Sequence, residues 1–240
     1  VVVGFYETVG YLPEALVNYL LLLGWSLDDR TEEFTREQMI RHFSLDRVSK
    51  AAASFDAKKL QAFQERHAQE VPVERRVELT LPFLERAGLV GSPPSEADRA
   101  RARQVVTAAG DRIKVWGDVL QYEDFFAPAD EIDYDDKAFR KRLVKPEDAA
   151  PLLERFRERL ASADFTAAAL DRELHDFTEA ESVPIGSVIH ALRVAVTGRA
   201  VGFGMFETLE ILGRDVCLAR IDRALARVGE VSARGPESGS

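Results

Sequence analysis

Apolar residues recur along this chain at the three- and four-residue spacing of amphipathic helices. In the segment 73–87, for example, the apolar positions Val77, Leu81 and Leu84 fall on one helix face, because an α-helix turns once every 3.6 residues. No run of alternating apolar and polar residues indicates a β-strand. The pattern therefore predicts an all-α protein built of consecutive helical bundles joined by short loops.

Capping residues predict where several helices begin and end. Pro13 at a helix start and Gly24 at its end show the asymmetry usual for helix termini. Thr35 and Gln38 have the spacing of a capping box, and Asp56 is the expected N-cap of the next helix. Further helices are expected over 96–109, from about 113 to 122, from 145 through 160, from 164 through 177, up to 197, and from about 214 to 228.

Breaks in this pattern divide the chain into three segments. Pro72 marks the first boundary, and the acidic stretch from Phe125 to Asp136 marks the second. The predicted domains are residues 1–71, 72–135 and 136–240, and the last of them ends in a frayed tail from about Gly229.

The composition is that of a folded protein outside the membrane. Of the 240 residues 46% are hydrophobic and 30% are charged, which argues against disorder. The longest apolar run, 15–23, is interrupted by Asn18 and is about half of a bilayer span. The chain starts with Val and shows no secretory signal, so we expect a fragment of a cytoplasmic protein.

The net charge of −9 argues against a nucleic-acid-binding protein. The distribution of charge matters more than its sum, because phosphate contacts act within about one Debye length, ~8–10 Å. Basic residues form three clusters: Arg99, Arg101, Arg103, Arg112 and Lys114; Lys137, Arg140, Lys141, Arg142 and Lys145; and Arg214, Arg220, Arg223 and Arg227. The clusters permit RNA binding, but solvated helix faces with interleaved acids explain them equally well.

Catalytic and metal-binding patterns do not stand out. The four histidines lie at no metal-ligand spacing: His42, His67, His175 and His190. The single cysteine, Cys217, excludes an internal disulfide and a zinc site with several thiolates, and its apolar neighbours indicate a buried structural thiol. We therefore predict no catalytic residue and no metal site in this chain.

Two arginines lie at helix breaks, where they could contact a ligand. Arg112 follows Gly110 at a loop, and Arg193 lies on a helix whose neighbours Leu192 and Val196 point inward. Arginine offers a fork of donors and a flat stacking plane, which suit unpaired RNA bases. The alternatives are a surface Arg112 paired with Asp111 or Asp118, and a salt-bridged structural Arg193.

A glycine-rich corner follows Arg193. Glycines at 198, 202 and 204 permit positive φ and close approach of a backbone or ligand. Phe203 and Met205 lie in this corner. One interpretation is that their side chains form a surface on which an RNA base stacks; the other is that they pack in the core.

The corner, from Leu192 to Leu212, resembles the last anticodon-reading elbow of bacterial-type glutamyl-tRNA synthetases. The stretch from Gly10 to Ser26 resembles the same family just after its catalytic core. Two matches in the family's order, nearly the whole chain apart, are hard to obtain by chance. Further matching stretches are 34–43, 47–50 with 55–56 and 59–60, and Arg112 with Phe125 and Phe126.

The resemblance implies an anticodon-binding α-helical cage and a role for each segment. Residues 1–71 resemble the family's stem-contact region, 72–135 its first anticodon-binding domain and 136–240 its second. Arg112 resembles the arginine that reads the first anticodon base in enzymes that accept the glutamate-specific tRNA and reject the glutamine one. The group expected around the other anticodon bases is Arg193, Gly202, Phe203, Gly204 and Met205. The residues expected along the tRNA inner stem are Arg47, Ser49 and Lys50.

The family activity is ATP-dependent attachment of glutamate to tRNA. The Rossmann domain, its ATP-gripping loops and the glutamate pocket are not in this chain, so we expect ATP and Mg²⁺ to bind a separate catalytic half and this chain alone to be inactive. The expected partners are glutamate-specific tRNA and the protein's own N-terminal catalytic domain, with no membrane or DNA partner. The alternative is a helical protein-interaction module, or a stand-alone tRNA-binding module, without a ligase role.

The chain departs from the family pattern at several positions. Ala62 and Gln64 stand where a Trp and an Asn are usual, which affects the expected stem contacts. Val115 and Trp116 replace a Thr-Leu pair, and Phe203 stands where a proline is common, so the last elbow is expected to differ in shape.

Overall fold

The computed structural model describes residues 2–50 and 52–233, and within them all regular structure is helical, which confirms the all-α prediction. The α-helices are α1 (Val3–Val9), α2 (Pro13–Leu22), α3 (Arg36–His42), α4 (Ala57–Glu70), α5 (Val73–Arg86), α6 (Glu96–Ala109), α7 (Asp136–Phe139), α8 (Ala149–Ser162), α9 (Ala167–Ala180), α10 (Ile185–Thr197), α11 (Met205–Leu212) and α12 (Arg214–Ala233). Short 3₁₀ segments span Leu45–Arg47, Gly110–Arg112 and Trp116–Phe125, and a π-helical turn spans Arg140–Val144. Among the described residues, no helix combines the length and the apolar character that crossing a bilayer requires.

The predicted helix starts are confirmed where a side chain caps the helix. The Thr35 hydroxyl accepts the Gln38 N–H while the Gln38 amide oxygen accepts the Thr35 N–H. Asp56 accepts the N–H groups of Lys58 and Lys59 at 2.8 and 3.2 Å. Such caps satisfy donors that the first helical turn leaves unpaired.

The prediction of a helix from about 113 to 122 is wrong. The backbone is extended at Ile113, and a 3₁₀ segment begins only at Trp116. The Asp118 carboxylate accepts the N–H groups of Lys114 and Val115 at 2.9 and 3.1 Å. This side chain therefore offers the backbone an alternative to helical hydrogen bonds.

The last helix is longer than predicted. α12 continues through Gly229 to Ala233, so the chain is still helical where the frayed tail was expected to begin. The rest of that tail, residues 234–240, lies outside the described residues.

Two compact units make up the chain, Val1–Tyr122 and Glu123–Ser240. In the first unit α2 packs against α4, and Tyr19, Leu60 and Phe63 form the centre of their contact. The pair α5 and α6 packs through its own buried apolar residues, which include Leu84 and Val105. The three-domain division stays a prediction.

The second unit is built around three long helices, α8, α10 and α12, which pack against one another. Phe156 of α8 and Leu192 of α10 are fully buried between them. α9 packs against α11, and Phe177 of α9 lies against Phe156 with ring centroids 5.1 Å apart. This core fixes the position of α10, whose end forms the glycine-rich corner.

Candidate nucleic-acid interface

Arg112 is exposed at the tip of the turn that follows α6. α6 ends at Gly110, whose φ of 54° lies in the region that favours glycine. The next residues are held by Asp118, which caps the following 3₁₀ segment through two backbone N–H groups. The turn that carries Arg112 is therefore fixed at both ends.

Gln64 holds this turn from the inside of the first unit. Its side chain is fully buried, its amide oxygen accepts the Leu12 N–H at 2.8 Å, and its amide nitrogen donates to the Lys114 carbonyl at 2.9 Å. Gln64 therefore positions the segment beside Arg112, and the expectation that position 64 affects stem contacts stays a prediction. Sequence reasoning missed that role; a Gln at an inward position of the amphipathic α4 was the available signal.

Glycine at position 10 lets the turn between α1 and α2 approach this segment closely. Trp116 N–H donates to the Gly10 carbonyl at 3.1 Å. A Cβ atom at Gly10, where φ is 93°, would lie 2.8 Å from the Trp116 nitrogen and from Phe83 Cζ. Only glycine combines this φ with this contact distance.

A cleft of about 470 Å³ opens beside Arg112 within the first unit. Its lining combines the aromatic ring of Tyr11 with the polar side chains of Lys114, Asp118 and Gln121. Burial raises the pKa of Tyr11, so its hydroxyl stays protonated and can donate at neutral pH. Lys114 is tied to Glu65 at 2.8 Å. The cleft thus offers an aromatic face and hydrogen-bonding groups next to an exposed guanidinium.

The expected stem-contact residues follow one another on an exposed strip of the first unit. The Arg47 guanidinium lies 5.7 Å from the centre of the Trp25 ring and donates to the Leu27 carbonyl. The Ser49 N–H donates to the Gly24 carbonyl at 2.7 Å, which anchors the strip to the end of α2. Lys50 is exposed. The structure therefore brings these three residues together on one surface.

The glycine-rich corner of the second unit begins at Gly198. Its φ is 72°, and a Cβ atom there would lie 1.9 Å from the Asp133 carbonyl oxygen. The Gly198 carbonyl accepts the Asp135 N–H at 2.9 Å. α10 can therefore stop and turn here only because residue 198 lacks a side chain.

Arg193 closes the corner from α10. Its Nη1 donates to the Phe203 carbonyl at 2.8 Å, and a Cβ atom at Gly202 would lie 3.5 Å from the same nitrogen. Within the part of the chain that the structure describes, no carboxylate oxygen lies within 4 Å of its guanidinium, so Arg193 is not the salt-bridged arginine considered above. Burial lowers the pKa of Arg193 from its ordinary value, but an arginine stays charged at neutral pH.

Phe203 and Met205 are buried, with 3% and 4% of their surfaces exposed. The Phe203 ring stacks on Phe125 with centroids 5.1 Å apart. The interpretation of these side chains as an exposed stacking surface is therefore wrong for this structure, because the core of the second unit needs them. Gly202 and Gly204 are exposed, and so are Arg199, Ala200 and Val201 before them.

Arg220 is a further residue that supports the corner, and sequence reasoning placed it wrongly in a surface cluster. It is fully buried, and its guanidinium donates to the carbonyls of Val196 at 2.7 Å, Asp124 at 2.7 Å and Ala127 at 2.9 Å. Its position three residues after Cys217, on the apolar face of α12, was the signal that indicated burial. Burial raises the pKa of the nearby Asp124 carboxyl to about 6, against the opposing effect of the Arg220 charge.

The remaining candidate groups have structural roles. Cys217 is buried, and burial raises its pKa to about 12, so the thiol stays protonated and is a poor nucleophile. Among the described residues, no three His, Cys, Asp or Glu side chains come together as metal ligands.

Family models match both parts of the chain. The model of an anticodon-binding domain matches residues 75–225. The model of the catalytic domain of class I tRNA synthetases (E and Q) matches residues 1–62. The first match includes Arg112 and the corner at Arg193, and the second includes Arg47 to Lys50.

Individual relatives agree with the family models. The chain is 40% identical to the glutamate–tRNA ligase of Moorella thermoacetica, over 94% of this chain and 46% of that protein. It is 38% identical to the glutamate–tRNA ligase of Desulforudis audaxviator, over 92% of this chain and 44% of that protein. The crystal structure of a glutamate tRNA ligase from Elizabethkingia meningosepticum superposes with a TM-score of 0.78 at 27% identity, covering 93% of this chain and 43% of that one.

These findings confirm the resemblance stated above. The chain spans somewhat less than half the length of the curated relatives that it matches. It belongs to the glutamate–tRNA ligase family of class I aminoacyl-tRNA synthetases and carries that family's anticodon-binding domain.

Proposed function

We propose that this chain is the tRNA-binding, C-terminal part of a glutamate–tRNA ligase. It holds the anticodon and the inner stem of tRNA(Glu) while a catalytic domain elsewhere in the protein uses ATP and Mg²⁺ to attach glutamate. The observation that carries the proposal is the match of the anticodon-binding domain to residues 75–225, which contain Arg112 in the turn after α6 and Arg193 in the last part of α10. On this proposal the chain alone does not aminoacylate tRNA.

Arg112 reads the first anticodon base in this proposal. Its guanidinium is exposed beside a cleft that also contains an aromatic ring and several donors and acceptors. Unpaired RNA bases are recognised by stacking and by hydrogen bonds to their edges, and the cleft supplies both. The buried amide of Gln64 keeps the adjacent backbone in place, so the base reader sits on a rigid support.

The corner between α10 and α11 receives the later anticodon bases. Arg193 commits one nitrogen to the Phe203 carbonyl, and a guanidinium has five N–H donors in all. The remaining donors can contact a base above Gly202, which is exposed, whereas the Glu207 carboxylate lies beside Gly204. Phe203 and Met205 contribute by holding the corner from the core, and Arg47, Ser49 and Lys50 contact the inner stem.

Replacing Arg112 with Lys tests the base-reading role. Lysine keeps the charge but loses the planar fork, so a phosphate contact survives while a bidentate base contact does not. By analogy with groove readout, such a contact is worth about 1–3 kcal/mol of discrimination. We expect the preference for tRNA(Glu) over a transcript with a different first anticodon base to fall about fivefold or more, as measured by the two dissociation constants at one salt concentration.

The matched control is Arg75→Lys, on the exposed surface of α5 in the same unit. It should leave the preference between the two transcripts unchanged. An equal loss of affinity for both transcripts in the Arg112→Lys variant would contradict the assignment of Arg112 as a base reader.

A further inference from the structure

A second basic surface of the second unit lies outside the expected anticodon residues. We call it the basic segment and define it as Lys137, Arg140, Lys141, Arg142 and Lys145. It covers α7 and the π-helical turn that follows. Phe139 and Leu143 are almost fully buried and anchor the segment, whereas the cations point away from the core, all of them exposed except the half-buried Arg142.

The cations of the basic segment are not neutralised by nearby acids. Across residues 2–50 and 52–233, no carboxylate oxygen lies within 4 Å of any of them. The adjacent acids have other partners: Asp135 accepts the Ala138 N–H at 2.6 Å, and Asp136 pairs with Arg227 at 2.7 Å. This contrasts with α8, where the arginines of the same unit are paired with carboxylates.

The basic segment adjoins the corner at Arg193. The π-helical turn packs against α10, the helix that carries both His190 and Arg193. The pKa of His190 is lowered mainly by burial, and further by the positive charges of Arg142 and Arg193. Arg142 and Arg193 therefore both lie close enough to His190 to act on it, so the basic segment and the corner each place a cation near this residue.

Polyanions with little apolar character fit this surface best. The large apolar residues of the segment, Phe139 and Leu143, face the core, so the surface offers nothing to insert into a lipid bilayer. Lys and Arg contacts to phosphates supply sequence-independent affinity for nucleic acids. The net charge of the chain is −9, yet within the described part of the chain the five cations of this short segment have no carboxylate partners. The segment is therefore a local surface suited to phosphate contacts.

We propose that the basic segment binds the phosphate backbone of the tRNA next to the bases held at the Arg193 corner. This inference rests on the proposed tRNA-binding function and adds a contact that carries affinity but no sequence information. It assigns the segment a different task from Arg112 and Arg193, which discriminate between anticodons.

The test is a triple variant of the chain, Lys137→Gln, Arg140→Gln and Lys141→Gln, which removes three exposed charges and spares the buried anchors. Each phosphate contact contributes about 0.7–0.9 to the slope of log K against log salt concentration, so we expect that slope to become shallower by about 2. Affinity for tRNA(Glu) and for an anticodon-altered transcript should fall by the same factor. The ratio of the two dissociation constants should stay at the wild-type value, unlike in Arg193→Ala.

Two controls separate a local contact from a change in net charge or in folding. The first control is a triple variant with Arg155→Gln, Arg159→Gln and Arg172→Gln. It removes the same amount of charge from α8 and α9, and it should leave the slope of log K against log salt concentration unchanged. The second control is the double variant Lys137→Arg and Lys141→Arg. It keeps the positive charge of the basic segment and should bind tRNA as the wild type does. Thermal unfolding by circular dichroism should give the same midpoint for the two triple variants within a few degrees.

The outcomes are distinguishable. A wild-type salt slope and affinity in the basic-segment variant, with anticodon preference still present, would overturn this inference and leave the proposed function standing. A change in the anticodon ratio equal to that of Arg193→Ala would also overturn it, because the segment would then read bases. No binding of tRNA by the wild-type chain would overturn the proposed function together with this inference.

Discussion

Arginines in this chain repeatedly hold backbone carbonyl groups at places where a helix ends or a loop bends. Arg193 holds the Phe203 carbonyl, Arg220 holds Val196 and two further carbonyls, and Arg223 holds Ile132. A planar guanidinium suits this task because its several donors leave it in fixed directions. At the residue scale, the corner is thus shaped by buried or half-buried cations acting on carbonyls.

The Asp124 carboxyl, near the buried Arg220, makes the stability of the folded chain depend on pH. Burial raises the pKa of its carboxyl from 3.8 to about 6, so between these pH values the folded chain binds the proton more tightly than the unfolded chain does. The contribution to stability is therefore complete below about pH 4 and is lost as the pH rises through about 6. Asp124→Asn removes this dependence, because its side chain cannot ionise.

We expect the free energy of unfolding of Asp124→Asn to match the wild type near pH 4 and to exceed it increasingly up to pH 7. The gain is at most about 3 kcal/mol, since one pKa unit corresponds to about 1.4 kcal/mol. Urea denaturation at a series of pH values measures this difference, with Asp130→Asn as the control at an exposed acid. A difference between variant and wild type that stays constant from pH 4 to pH 7 would contradict the account.

Side-chain roles were predictable only where they are local. The N-caps at Thr35 and Asp56 follow from residues three positions away, and the structure has both. The hydrogen-bond partners of Gln64 lie 50 or more positions away in the sequence, and those of Arg220 lie up to 96 positions away. No local pattern could therefore reveal these partners. Burial of Phe203 likewise depends on Phe125, far away in the chain.

At the scale of elements, the junction between α10 and α11 depends on a single glycine. Gly198 ends α10 at a positive φ and lies against the Asp133 carbonyl. The Thr197 hydroxyl donates to the Arg193 carbonyl and accepts the Arg199 N–H. The sequence predicted both the end of the helix and the need for glycine. It could not predict the chain segment against which the glycine packs, because that contact is formed by residues before α7.

Gly198→Ala is expected to destabilise the chain by at least about 2 kcal/mol. The left-handed conformation alone costs a non-glycine residue about 1–2 kcal/mol, and the new Cβ would lie 1.9 Å from the Asp133 oxygen, which must move. Urea denaturation measures the change, and tRNA binding should weaken as the corner shifts. The control is Gly229→Ala in α12, where the Cβ meets no atom within 4 Å and where alanine should stabilise the helix by roughly 0.5–1 kcal/mol. Equal stability of Gly198→Ala and wild type would show that the corner does not depend on this contact.

At the scale of the whole molecule, helical periodicity was enough to predict the fold class, because most large buried residues lie on helices. Trp25, Phe34, Ile132 and Tyr134 are buried in longer loops instead. The 3₁₀ segment at Trp116 and the π-helical turn at Arg140 were not predicted, since both depend on side chains and packing that interrupt the regular period. The net charge of −9 argued against the nucleic-acid partner that we propose. Only coordinates reveal which charges are paired. Among the described residues, the five cations of the basic segment have no carboxylate oxygen within 4 Å.

The central claim is that this chain grips the anticodon loop and inner stem of tRNA(Glu). The most direct measurement is a nuclease and chemical footprint of tRNA(Glu) bound to the 240-residue chain. We expect protection of the anticodon bases, of the neighbouring loop phosphates and of the inner stem, with the acceptor end as reactive as in free tRNA. Protection confined to the acceptor end, or no protection at protein concentrations that saturate binding, would contradict the account.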